Sequence, residues 1–232
     1  MGIEELLEKV PKLGEYIKNM PEELKTRYTI RTFPPGHIMH QKDEFIDYFG
    51  ILCIGSNRVI NEFENGNVYM IEKNEAIDFI GEVTLLAGYS NSSVTIETLT
   101  ECTILFITKK DCEKWFAQDS HFLRLVAKHV AYKLYRTSYT SGVKLFFPPS
   151  FLVLDYLIHY VKENGMPEYG GLVVKKTRQE LFEEIGITVK TINRTVKKLV
   201  EEDGLIGLYK GKITISSDQY QRILEEIKFY AE

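Results

Sequence analysis

Residues 30 to 109 lack any long helical period of apolar positions and carry short apolar runs, whereas helical periods mark the stretches before and after them. Within 30 to 109 the runs YTIRTF, FGILCI, RVINEF, VYMIEK and TECTILFIT are rich in β-branched and aromatic residues and are interrupted by Gly36, Gly50, Gly55, Gly66, Gly81 and Gly88. That pattern predicts an antiparallel β sandwich or roll. Asn65 and Gly66, between two alternating stretches in FENGNVYM, predict a hairpin turn, since both residues tolerate positive φ. Ahead of the strands, Pro11 and Pro21 divide the first residues into a pair of short helices.

From Asp111 the period changes to that of a helix. A short helix is expected up to a break near Asp119, followed by a long one. On the long helix Leu123, Ala127, Val130, Leu134, Thr137 and Ser141 recur at alternating intervals of four and three, an a/d seam. A seam of this kind needs a partner helix, and the simplest partner is the same helix in a second copy, so a homodimer is expected. Gly142 loosens the helix, and Pro148 with Pro149 opens the next one. The expected organisation is therefore a β domain over 1–110, a dimerisation helix and hinge over 111–146, and a C-terminal domain over 147–232 reading helix, strand, helix, turn, helix, two strands, helix.

In TRQELFEEIGITVKTINRTVKKLV (177–200) two amphipathic helices meet at Gly186. Leu181 and Ile185 face inward on the first, Ile192, Val196 and Leu199 on the second, and Thr188 stands at the N-cap position of the second. The opposite face of the second helix carries Lys190, Asn193, Arg194 and Lys197. Cations meet phosphates, Arg forks onto guanine and Asn onto adenine, so this face has the donors of a helix that reads the major groove of double-stranded DNA. Val189 at the helix start offers a methyl contact to thymine, and Lys176, just before the first helix, and Arg178, at its start, join the expected contacts. The following hairpin, GLYKGKIT, puts Lys210 and Lys212 about Gly211 as a wing for backbone phosphate, which makes the whole a winged helix.

Composition narrows the classes further. The chain has 232 residues, 44% of them apolar and 27% charged, with a formal net charge of −4. That excludes disordered and fibrous readings and leaves room for two cores. No apolar run is long enough to cross a bilayer and the first residues are acidic, so a cytoplasmic protein without membrane contact is expected. Charge is unevenly spread: residues 172–215 hold nine Lys and Arg against six acids, and the remainder is acidic by seven. The second helix is thus a basic face on an acidic molecule. Cys53, Cys102 and Cys112 are too few and too scattered for disulfides or a metal cluster and read as small buried side chains. No nucleophile elbow, H-E-x-x-H or phosphate-binding loop is present, so no catalytic residue is assigned and no enzyme is expected.

The residues FPPGHIMHQ, LCIGS, FIGEVTLL, AYKLYRTS and TRQELFEEIGITVKTINRTVKKLVEEDGLI, spread over about residues 25 to 220, resemble the Crp/Fnr family of bacterial transcription regulators. The resemblance implies an α+β homodimer with an N-terminal antiparallel β-roll of the cyclic-nucleotide-binding type, a long dimerisation helix and a C-terminal winged helix-turn-helix. It implies transcription regulation at a near-palindromic operator, with RNA polymerase as a further partner. In the catabolite activator of that family the recognition helix opens with Arg and Glu; here Val189 and Lys190 stand there, only Arg194 carries over, and a different half-site is expected. Phe182 stands where a small residue is usual at the helix crossing.

In cyclic-nucleotide binders of the family, a Gly-Glu pair cradles phosphate and ribose, and an Arg-Ser or Arg-Thr follows some ten residues later. Gly81 and Glu82 match the pair, but Ser92 followed by Ser93 replaces the arginine. A neutral hydroxyl cannot supply the charge-assisted pairing that a phosphate needs. Thr137 and Ser138 match a Thr-Ser pair that contacts adenine. That match points toward cyclic AMP, but the two residues equally suit the polar end of a coiled coil, and with Ser92 in place of the arginine cyclic AMP is not the expected effector. Another small molecule, or side chains filling the pocket, takes its place, and no cofactor is assigned. His37 and His40 lie near the axial-ligand region of haem-binding members and read as surface residues. The alternative to a DNA-binding regulator is a ligand-binding module whose winged helix docks on a protein.

Overall fold

The computed structural model describes residues 2–64, 68–168 and 170–230, the side chains of 139–145 and 229 apart. The Asn65–Gly66 turn and the Ser141 side chain lie outside the described residues. The chain forms two compact units, residues 1–136 and 137–232, and the division falls inside the long helix.

The first unit opens with α1 (Ile3–Lys9) and α2 (Leu13–Ile17), separated at Pro11 as the sequence predicts, and a short 3-10 turn over Glu22–Leu24. Strands β1 (Thr29–Phe33), β2 (Ile38–His40), β3 (Tyr48–Ile54), β4 (Ser56–Glu62), β5 (Val68–Glu75) and β6 (Asp78–Ile80) follow. After α3 (Glu82–Leu86) come β7 (Thr95–Thr98) and β8 (Cys102–Thr108). Two four-stranded antiparallel sheets result, in the orders β1-β8-β3-β6 and β2-β7-β4-β5. The five predicted strands are all present. The three shorter ones, β2, β6 and β7, were not predicted, because three or four residues carry too little alternation.

β3 shows how the layers stack. Phe49, Ile51 and Cys53 face one side, where Leu6, Leu13, Trp115, Phe122 and Val126 from the helices join them in one buried cluster. Leu52, on the opposite side, packs between the sheets with Val59, Ile80, Ile96 and Ile104. The strand is buried on both faces, which is why it reads as a continuous apolar run.

Thr108 caps α4 (Lys109–Gln118) by accepting from the Asp111 amide, and the chain breaks at Asp119, whose carboxylate accepts from the amides of His121 and Phe122. α5 (Ser120–Phe146) then runs for 27 residues. Phe122, stacked on Trp115 at 3.8 Å, anchors its start in the first unit.

The second unit contains α6 (Pro149–Asn164), β9 (Leu172–Val173), α7 (Arg178–Ile185), α8 (Val189–Glu201), β10 (Gly207–Tyr209), β11 (Lys212–Ile215) and α9 (Ser217–Glu226). Its three strands form an antiparallel sheet in the order β10-β11-β9, and its core gathers Leu154, Leu157, Leu181, Ile185, Ile192, Val196, Leu199, Ile213 and Ile223. Thr177 and Glu180 close a capping box at α7, and Ser216 with Gln219 closes another at α9. Gly186 ends α7 with a φ of 82°, the left-handed conformation that lets the chain turn at once into α8. Among the described residues no helix is long and apolar enough to cross a membrane.

Candidate nucleic-acid interface and sensor pocket

α8 is sorted by face as its sequence dictates. Ile192, Val196 and Leu199 are buried, and Thr195 joins them; Lys190, Asn193, Arg194, Lys197 and Lys198 are exposed. Val189 is half-buried at the helix start. The Thr188 hydroxyl accepts from the Thr191 amide at 3.2 Å, so this residue serves its own helix end. Lys190 and Arg194 have no acidic partner among the described residues. Lys197 approaches Glu201 at 3.7 Å with both side chains well exposed, a contact that solvent largely screens.

Two of the expected contacts are already engaged. Lys176 is paired with Glu184, whose other oxygen accepts from the Tyr156 hydroxyl, so its charge is spent on a neighbouring acid. Arg178 donates from Nε to Asn193 Oδ1 at 3.1 Å and reaches the Gly211 carbonyl at 3.4 Å, tying α7, α8 and the wing together. Among the described residues the Asn193 amide NH2 has no hydrogen-bond acceptor. The wing is a two-residue turn in which Lys210 and Gly211 have φ of 49° and 79°. That pair of positive φ values matches the twist of the hairpin, and it leaves Lys210 and Lys212 exposed at the tip. Phe182 turns inward and packs against the core.

A groove between the start of α6 and the outer side of α8 is not legible in the sequence. This groove, of about 440 Å³, is lined by Pro149, Ser150, Arg194, Lys197, Lys198 and Glu202. A Pro-Ser pair opening one helix and a Lys on another share no spacing rule that would have revealed it.

In the first unit, Gly81 has a φ of 84°, and a Cβ there would meet the Tyr48 carbonyl oxygen at 2.9 Å. Only glycine lets the chain pass from β6 into α3 at this point. Glu82 is 4% exposed, and burial pushes its carboxyl up against the opposing pull of Lys133. The Lys133 ammonium, from α5, lies 2.9 Å from Glu82, 3.0 Å from Asp78 and 3.6 Å from Glu72. These three carboxylates hold Lys133 above the ordinary lysine range despite the desolvation that opposes them. His129 stands 3.4 Å from the other oxygen of Asp78, and Arg136 pairs with Glu72. Desolvation of Asp78 is outweighed by His129 and Lys133, so its carboxyl titrates below the usual range.

The Ser92 hydroxyl is buried and donates at 2.7 Å to the carbonyl of Val94, closing its own turn. Ser93 is exposed. Thr137 and Ser138, also exposed, fall in the second unit. His40 corrects an expectation: it is 5% exposed, bonded through Nδ1 to the Tyr48 hydroxyl at 2.7 Å, and burial lowers its pKa to about 4. His37 is at the surface as expected, and all three cysteines are buried free thiols. Among the described residues no group of His, Cys, Asp and Glu has the arrangement of a metal site.

On the expected dimer seam, Leu123 and Val130 are half-buried and Ala127 is exposed, while Leu134 is 67% exposed and its neighbour Tyr135 78%.

The roll with its Gly-Glu turn and the winged helix together define a transcription regulator carrying a sensor domain. A family model described as cyclic nucleotide-binding domain matches residues 30–119. The chain is 23% identical over 187 residues to the cAMP-activated global transcriptional regulator CRP of Salmonella typhimurium, covering 80% of this chain and 89% of that one. It is 26% identical over 209 residues to the cAMP-activated regulator Vfr of Pseudomonas aeruginosa, covering 88% and 94%. Among solved structures, a transcriptional regulator of the crp/fnr family from Eubacterium rectale superposes with a TM-score of 0.73 at 15% identity, covering 91% of this chain and 96% of that one. The regulator CLP of Xanthomonas campestris does so with 0.72 at 18%, covering 82% and 95%. Residues 30–119 thus match a cyclic nucleotide-binding domain, and over most of its length the chain is similar to transcriptional regulators of the CRP type.

Proposed function

We propose that the chain is a cytoplasmic homodimer, paired along α5, that binds a near-palindromic operator through two copies of α8. The carrying observation is the outer face of α8, where Lys190, Arg194, Lys197 and Lys198 stand exposed over a fully buried opposite face. A recognition helix in each of two successive major grooves requires half-sites about 34 Å apart, one turn of duplex. Arg194 and the NH2 of Asn193 face base edges, while Lys190, Lys197, Lys210 and Lys212 meet phosphates. The groove between α6 and α8 supports a further backbone contact at Ser150 and Lys198. A helix that docks on protein would need exposed apolar anchors, and the exposed positions of α8 are cationic or amide. The exposed Leu134 and Tyr135 support pairing along α5.

The sensor pocket supports an effector other than cyclic AMP. Glu82, which would accept from a ribose hydroxyl, is held by Lys133, and Ser92 is turned onto its own backbone. Lys133 is already matched to Glu72, Asp78 and Glu82 within the chain, so it is no free cation for an incoming phosphate in place of the missing arginine.

The deciding experiment selects bound sequences from a random duplex pool and titrates salt against the selected site. The expected result is an inverted repeat whose log affinity falls steeply with log salt concentration; a flat dependence would remove the DNA-binding reading. Calorimetric titration with cyclic AMP should give no saturable heat. Transcription with purified RNA polymerase on the selected operator tests that partner and shows the direction of regulation.

A further inference from the structure

The first unit contains a cavity of about 390 Å³ that is not the sensor pocket. Its walls come from β1, β2, β3 and β8, at the edge of the roll formed by β1 and β2. Glu72, Asp78 and Glu82 belong to β5, β6 and α3, at the other edge of the two sheets. The volume falls in the range of roughly 300–1,000 Å³ typical of small-molecule sites.

Strand pairing explains what lines it. Thr29, Arg31 and Phe33 alternate onto the face of β1 that looks between the sheets, opposite Phe106, Ile104 and Cys102 of β8. Edge-to-face contacts join Phe33 to Phe106 at 6.0 Å and Phe106 to Tyr48 at 5.3 Å, and the His37 ring stacks on Phe33 at 4.6 Å. Met39 completes an apolar wall. Into this aromatic slot the alternation delivers a guanidinium, that of Arg31, which has no hydrogen bond or ion pair among the described residues. The other lining cation, Arg27, leans on Asp111 at 3.5 Å, and Asp47 is the lining acid. An Arg without a partner among the described residues, lining a cavity with aromatic walls, suits a planar organic anion, forking onto its charged head while the rings take its body.

We propose that this cavity is a second small-molecule site, specific for an amphipathic organic anion with an aromatic body and a carboxylate, sulfonate or phosphate head. Such a ligand would enter between β1 and β2 and leave the Lys133 cluster untouched.

The probe for the test is 8-anilino-1-naphthalenesulfonate, with the neutral N-phenyl-1-naphthylamine as its control. The full chain should bind one sulfonate per chain saturably. Arg31→Ala should weaken that binding about tenfold or more, the loss of one charge-assisted bond, without changing affinity for the neutral control, and Arg31→Lys should recover part of it. Because Arg31 is exposed, these variants should fold. The Met39 methyl resonance, assigned with Met39→Leu, should shift along the titration and locate the probe. Absence of saturable binding, equal binding by Arg31→Ala, or an unmoved Met39 methyl would overturn the proposal. So would a variant whose only change is aggregation, the mark of an inward cation that merely guards an edge strand.

Discussion

The Lys133 cluster and the outer face of α8 are both built from cations on a helix, and they treat those cations in opposite ways. Lys133 is surrounded by Glu72, Asp78 and Glu82, with a side chain only 15% exposed. Lys190 and Arg194 are exposed and have no acidic neighbour among the described residues. A buried cation must be matched inside the molecule, because leaving it or its acids unpaired costs several kcal/mol. A solvated cation needs no internal partner and keeps its charge for something outside. Even the acids of α7 respect this division: Glu184 is held by Lys176 and Tyr156, on the core side of the helix pair.

The sharpest way to break the comparison is Lys133→Met, which leaves three carboxylates facing a buried site without their cation. It should destabilise the first unit by about 3 to 5 kcal/mol, measured by urea unfolding; a loss below about 1 kcal/mol would mean the cluster is solvated and resembles the α8 face after all. The second test uses His40, buried and neutral near the other edge of the roll. Its folded pKa lies below the unfolded one of 6.5, so the unfolded chain takes the proton first. Stability should therefore be full above pH 6.5 and fall as pH drops toward about 4, by roughly 3 kcal/mol if the whole shift is expressed. His40→Gln should flatten that limb of the stability profile. Asp78 acts in the same direction at lower pH, since its depressed carboxyl is lost to protonation last.

On the α8 side the effects are smaller and leave folding intact. Arg194→Ala should cost about 1 to 3 kcal/mol of operator affinity and relax preference at one base position, whereas Lys190→Ala should weaken all sequences alike and lower the salt slope by about one. A selection from random duplexes, repeated with each variant, separates the two. Smallest is Thr188→Ala, whose lost cap should cost about 1 kcal/mol of stability in the second unit by thermal unfolding.

How much of this was legible in the sequence depended on how local each feature is. The α7–α8 pair could be read almost residue by residue, because Thr177, Gly186 and Thr188 signal their turns within three positions, and the inward stripe follows the helical period. The long alternating strands were equally plain, and β2, β6 and β7 were too short to be. Of the Lys133 cluster only Glu82 could be read, through its pairing with Gly81. Glu72, Asp78, Glu82 and Lys133 are brought together by strand order and by the docking of α5, and the sequence pointed instead to Ser92, whose hydroxyl closes its own turn. Arg178 shows the same limit on a smaller scale: its charge and position suggested a phosphate contact, while its geometry makes it a tie between Asn193 and Gly211.

That tie bears on affinity through entropy. A free Asn on a helix surface and a free hairpin tip each lose conformational freedom when they dock on a rigid partner, about 0.5 to 1.5 kcal/mol for an immobilised side chain. Arg178 has already restricted both in the folded chain. Association with a duplex would then order little that folding has not ordered first, and the four exposed cations and one amide of α8 would hold their site more tightly than the contact list implies.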